Sequence, residues 1–188
     1  VDADHHAEQA YRDVKNAIRH LNPGGVVVLH DCSPHTPDMQ RPEYTGGAWT
    51  GDVWKTIVRL RWEGEQAVAT FNTDYGVGIV IPGGKVTHLR RRPRDPSTLT
   101  YEDLVARRED LLNLYSGWEW AEWFSRTWSR SMQKSTPAAL DPVERSLYEG
   151  YSKKFREPDE LLVVFTKLPY AETTGVHLLK ALEKLLGK

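Results

Sequence analysis

The chain has 188 residues, 39% hydrophobic and 27% charged, which excludes a disordered or fibrous polymer and predicts a soluble core of moderate size. Its 25 Lys and Arg against 26 Asp and Glu leave a net charge of -1, so there is no global electrostatic footprint for nucleic acid or an acidic membrane surface. The single cysteine, Cys32, excludes an internal disulfide and a multi-thiolate zinc site and favours a reducing, cytoplasmic setting.

The chain opens on Val1-Asp2-Ala3-Asp4-His5-His6, a chemically loaded string with almost nothing before it, and reads as an excerpt or a processed product. Ala7, Ala10, Tyr11, Val14, Ala17, Ile18 and Leu21 then recur at helical spacing, predicting an amphipathic helix over 6–21. Asn22-Pro23-Gly24-Gly25 stops it, because glycine accepts the left-handed conformation after a last turn and proline cannot continue a helix. The strand Val26 to Leu29 has no polar alternation, as expected of a parallel strand covered on both faces. It ends abruptly at His30-Asp31-Cys32. Ligands gather at the carboxyl ends of strands in open α/β sheets.

Residues 33–50, rich in Pro, Thr, Gly and His, read as a long surface loop of the kind that serves as a lid or binding segment. A short helix is predicted from Gly51-Asp52. Ala67–Phe71 and Tyr75–Ile81 are spaced as an antiparallel hairpin ended by Pro82-Gly83-Gly84. The run His88 to Arg94 is basic without interleaved aromatics and reads as a solvated linker. Thr100 opens a helix to about Leu114, and Ser116-x-x-Glu119 has the form of a capping box for a second. That second helix carries Trp118, Trp120, Trp123, Phe124 and Trp128, an aromatic face expected to pack rather than bind sugar. Further on, a helix with Val143, Leu147, Tyr151 and Phe155, a strand at 160–166 and a helix at 174–186 are predicted. The longest apolar runs, Val26–Leu29 and Leu161–Phe165, are too short to span a bilayer, and nothing at the start reads as a signal peptide.

Asp2, Asp4, His5, His6, His30 and Asp31 form the one dense cluster of titratable groups. Carboxylates with imidazoles at neighbouring strand ends can hold a divalent cation or pair a general base with its orienting acid. Taken singly, Asp2 and Asp4 can equally be caps of the following helix, and His30 a turn residue.

These residues carry a resemblance. Val1-Asp2-Ala3-Asp4-His5, a helix ending Leu21-Asn22-Pro23-Gly24-Gly25, the strand 26–29 and its His30-Asp31-Cys32 terminus resemble the fourth strand end, following helix and fifth strand of class I S-adenosylmethionine-dependent methyltransferases. Trp49 to Lys55 and Asp74 to Gly78 are similar to the later helix and terminal hairpin of a small-molecule O-methyltransferase-like branch, and 101–124 to its helical tail. The fold implied is α/β: the C-terminal half of a Rossmann-like methyltransferase sheet with a terminal antiparallel hairpin, followed by a helical tail and a small α/β segment. The boundaries implied are 1–92 for the partial domain, 93–130 for the tail and 131–188 for an unassigned α/β segment, with the start of a second domain as one reading of it. The glycine-rich loop after the first strand and the acidic residue after the second, which hold the cofactor in this family, do not occur in the sequence.

The resemblance implies methyl transfer from S-adenosylmethionine to a small-molecule or sugar hydroxyl, in a fragment inactive alone. It places Asp2 and Asp4 at the cofactor, His5 and His30 as catalytic residues, and Asp2 and Asp31 as ligands where a divalent cation such as Mg is used. Cys32 stands where metal-dependent members offer another oxygen, and a thiol is a poor magnesium ligand. The partners implied are a small-molecule acceptor and a missing N-terminal half or partner chain, with neither nucleic acid nor membrane. Two other readings compete. Asp4-His5-His6 is the literal Asp-His-His string of a metal-dependent phosphoesterase family, whose sites need further Asp and His residues from separate strands. A non-catalytic half-domain that pairs with another chain is the other.

Overall fold

The computed structural model describes residues 1–134 apart from Ala3 and Pro23. The helix, strand and helix expected between 141 and 186 lie outside the described residues. Within them the fold is α/β: helix α1 (Ala7–His20), strand β1 (Val27–Leu29), helix α2 (Trp54–Glu63), strands β2 (Ala67–Phe71) and β3 (Val77–Ile81), helix α3 (Tyr101–Leu112), the short strand β4 (Leu114–Tyr115) and helix α4 (Gly117–Lys134).

The four strands make one mixed sheet in the order β1-β3-β2-β4. The hairpin forms as expected, with Ala67 opposite Ile81 and Phe71 opposite Val77. Its second strand inserts beside β1, antiparallel to it, with Val27 opposite Val80. The apolar run at 26–29 therefore reports burial and not strand direction, since one neighbour of β1 is antiparallel. On the other edge Val1 donates its amino group to the Val28 carbonyl at 2.6 Å and accepts from the His30 amide at 3.1 Å. That is one step of a parallel ladder, and it sets Asp2 beside His30.

Alternation along the strands divides the side chains between two layers. Val27, Leu29, Val68 and Val80 face a core shared with Val14 of α1, Ile57 and Val58 of α2, and Leu104, Leu111 and Leu112 of α3. The opposite face is covered by α4, where Trp120 stacks on Phe71 at 5.3 Å and Trp128 donates to the Gly24 carbonyl at 2.8 Å. The aromatic helix face is thus packing surface, except for Trp118, which is 70% exposed. Gly78 is required in the sheet because a Cβ there would lie 2.6 Å from Ile57 Cδ1 and 2.8 Å from Cys32 Sγ.

Local signals set the helix ends. Gly64 closes α2 and Asn113 closes α3, both left-handed, and Thr100 with Asp103 forms a reciprocal capping box at the start of α3. The basic run is a strap: Leu89 is buried, Arg90 donates its amide to Asp110, and Trp62 donates to the Pro93 carbonyl. No helix among the described residues is long and apolar enough to cross a membrane.

Candidate functional site

The site forms where β1 ends. His30 leaves the strand and Asp31 turns the chain with a φ of 61°, a left-handed conformation that Asp tolerates better than most residues. The β2–β3 turn holds this bend: the Cys32 amide donates to the Gly76 carbonyl at 2.9 Å and the Ser33 amide to the Tyr75 carbonyl at 2.6 Å. Gly76 leaves no room for a side chain, since a Cβ there would lie 2.5 Å from Ser33 Cβ. From the far side, Arg108 of α3 donates to the Ser33 hydroxyl and the Pro34 carbonyl, each at 2.7 Å.

His5 reaches the same place from the start of α1, where four features of the α2 entry fix it. The Asp52 amide donates to the His5 carbonyl at 3.1 Å, and Asp52 Oδ1 accepts from the Ala7 amide at 2.7 Å. Gly51 lies so close that a Cβ would be 2.7 Å from His5 Cβ. Trp49 stacks on the imidazole at 4.6 Å, and its carbonyl lies 3.0 Å from His5 Nδ1.

Two imidazoles thereby converge on one carboxylate pair. His5 Nε2 lies 3.3 Å from Asp31 Oδ2 and 3.7 Å from Asp2 Oδ1, and His30 Nδ1 is at the same two distances from the same two oxygens. A third carboxylate, Asp74, comes within 3.2 Å of His30 Nε2 without the alignment of a hydrogen bond. The Asp2 carboxylate raises the His5 pKa against a smaller effect of burial, with help from Asp31 and the Trp49 carbonyl. Burial of the His30 ring opposes its charge, but Asp2 and Asp31 prevail and lift its pKa to about 10. Opposite charges at this range favour the protonated ring.

Of the residues expected at a site, Asp2, His5, His30 and Asp31 come together. Asp4 is not part of this convergence: its exposed side chain pairs with His6. The Asp-His-His string is therefore not a shared ligand set, which disfavours the phosphoesterase reading. The Ala7 amide that opens α1 donates to Asp52, where the sequence offered Asp2 or Asp4 as the cap. Asp52 and Asp74 were visible in sequence as a helix start and a turn. Asp74 is assigned to the site by the strand order, which sets the β2–β3 turn against the end of β1, and Asp52 by its bonds to Ala7 and His5.

A divalent cation finds a mixed welcome. Donor atoms of Asp2, His30 and Asp31 lie within 4.8 Å of one another. The same oxygens also face the imidazoles of His5 and His30. The Cys32 thiol turns to the carbonyls of Leu29 and His30, and burial pushes its pKa up. Magnesium prefers oxygen ligands and is bound through one or two carboxylates with waters completing its shell, so in this group Asp2 and Asp31 are the donors that suit it and His30 is not. Asp2 and Asp31, the expected cation ligands, thus lie together, with His30 as a third donor beside them.

Comparison with known proteins agrees with the first part of this geometry. Residues 1–32, from the opening string through α1 and β1 to Cys32, match the family model of a methyltransferase domain. No curated protein and no solved structure matches the chain.

Proposed function

We propose that this chain carries the acceptor side of a class I, Rossmann-like methyltransferase of the small-molecule O-methyltransferase branch, acting on a small-molecule or sugar hydroxyl. The observation that carries the reading is the convergence of His5 and His30 on Asp2 and Asp31 at a strand end, inside the segment that matches a methyltransferase domain. When bound, S-adenosylmethionine supplies a methyl group on a cationic sulfonium. The three carboxylates of Asp2, Asp31 and Asp74 outnumber the one imidazolium, His30, among them, which suits a cationic sulfonium beside the cluster.

The two histidines differ in what their second nitrogen does. His5 Nδ1 faces the Trp49 carbonyl, which assigns the proton to Nδ1 and leaves the Nε2 lone pair as the base. His30 has carboxylates at both nitrogens and is held as an imidazolium that orients Asp31. With that methyl donor bound, His5 Nε2 would take the proton of the acceptor hydroxyl as its oxygen is methylated. Asp31 and Asp2 stabilise the resulting imidazolium. Alignment of the reactants supplies much of the remaining acceleration.

The test is transfer of a labelled methyl group by the full-length protein to hydroxyl acceptors. Labelled ether product is expected. His5→Ala should lower turnover about 100-fold or more, as expected for loss of a general base, while cofactor affinity measured by isothermal titration stays unchanged. Undiminished turnover with the acceptor saturating removes the base role.

A further inference from the structure

Two pairs of aromatic rings flank the carboxylate–imidazole cluster. On the His5 side, Trp49 stacks on the imidazole at 4.6 Å and Tyr44 lies 5.7 Å from Trp49, with Tyr44 63% exposed. On the His30 side, Tyr75 follows Asp74 directly, is 38% exposed and lies 5.6 Å from His35. Tyr75 has a φ of 57°, costly for a bulky side chain, and its carbonyl is committed to the Ser33 amide. The loop that presents Tyr44 and Trp49 is built: the Met39 carbonyl accepts from the Thr50 and Gly51 amides, and Trp49 Nε1 donates to the Arg41 carbonyl at 2.8 Å.

Charge adds a second restriction. The polar centre offers the carboxylates of Asp2, Asp31 and Asp74. Arg41 and Arg108, the arginines of the surrounding segments, donate to the carbonyls of Asp38 and Gly46 and to Ser33 and Pro34. An acceptor bearing a carboxylate or phosphate would lie beside the carboxylates of Asp2, Asp31 and Asp74, whereas a neutral ring would meet exposed aromatic faces.

We infer that the acceptor is an uncharged molecule whose ring lies against Tyr44 and Trp49 and whose ring-borne hydroxyl points to His5. This rests on the methyl-transfer reading for the role of that hydroxyl, but the stacking surface stands on its own geometry. A phenol and a pyranose share the required chemistry, a ring face with a hydroxyl at its edge.

The experiment titrates the full-length protein with catechol, methyl glucopyranoside and the carboxylated counterpart of each, following indole N–H signals by NMR. The Trp49 signal is the one lost in Trp49→Phe. At least one uncharged ring should shift it, with tenfold weaker binding of its carboxylated counterpart. Tyr44→Ala, at an exposed position where folding is not at stake, should weaken binding about three- to tenfold, the range of one aromatic pair. A response to catechol alone identifies a phenol, and to the glycoside alone a sugar. No response to either ring, no effect of Tyr44→Ala, or equal binding of the carboxylated probes overturns the inference. Ring binding without methyl transfer would overturn the function proposed above and leave this surface standing. Methyl transfer only to acyclic alcohols would do the reverse.

Discussion

His5 and His30 place the same ring in the same carboxylate field, and a pH profile can separate them. His5 must be unprotonated at Nε2 to accept a proton, and its neighbours hold its pKa above the ordinary 6.5. The expected rate therefore rises with pH along a limb centred above 6.5, because only the deprotonated fraction works. Asp31→Asn removes one of the groups that raise that pKa, in a backbone conformation that Asn adopts readily. The limb should then move to lower pH; a limb that stays put or moves up separates Asp31 from the base. A chelator should leave the rate unchanged, since no step uses a metal; loss of rate on chelation, restored by Mg, would bring the cation into the mechanism. At this scale the sequence was informative for Asp2, His5, His30 and Asp31, which abut two strand ends. Asp74 was not legible as a site residue because its proximity to His30 depends on β3 inserting between β1 and β2.

Elements, in turn, were legible where local chemistry decides them. The spacing in α1, the turn between β2 and β3 and Thr100 before α3 each act over a few residues, and their boundaries fall within one or two residues of expectation. The partner of the α1 N-terminus was hidden, because the acceptor is Asp52, on the entry to α2. Asp52→Ala should cost about 1 kcal/mol, the usual value of a lost N-terminal cap, read as a lower denaturation midpoint. It should also lower turnover, because the Asp52 carboxylate holds the Ala7 amide two residues beyond His5. An equal stability with full turnover would show that α1 starts without this clasp. The strap and α3 carry a pH-dependent link. Burial disfavours the Asp110 carboxylate, but the Arg90 amide and Arg107 outweigh it and lower its pKa. Its contribution is complete above the unfolded carboxylate pKa and is lost as pH falls through the lower folded value. Asp110→Asn should flatten the acid limb of the stability curve, and an unchanged limb would assign acid sensitivity elsewhere.

The molecule, over its described residues, separates support from chemistry by layer. The α1, α2 and α3 core lies against one face of the sheet and α4 against the other, while the charged cluster occupies the ends of the strands. This layering was legible only in part: the aromatic face of α4 announced burial, but nothing local told which surface it would meet. Register supplies the answer, since Phe71 alternates away from Val68 and so faces Trp120. Trp120 is 5% exposed and stacks on both Phe71 and Trp123, so truncating it leaves a cavity that an interlocked aromatic row cannot close. Trp120→Ala should cost about 3–5 kcal/mol, the range for a large buried aromatic, read from urea unfolding. Below the melting range the remaining folded protein should bind the ring probes as tightly as the parent, since Trp120 and Trp123 pack on Phe71 and Tyr115. Tyr44→Ala should show the opposite pattern, with stability kept and binding weakened. A Trp120→Ala protein that keeps its stability but loses ring binding would move the aromatic face of α4 from the scaffold into the site.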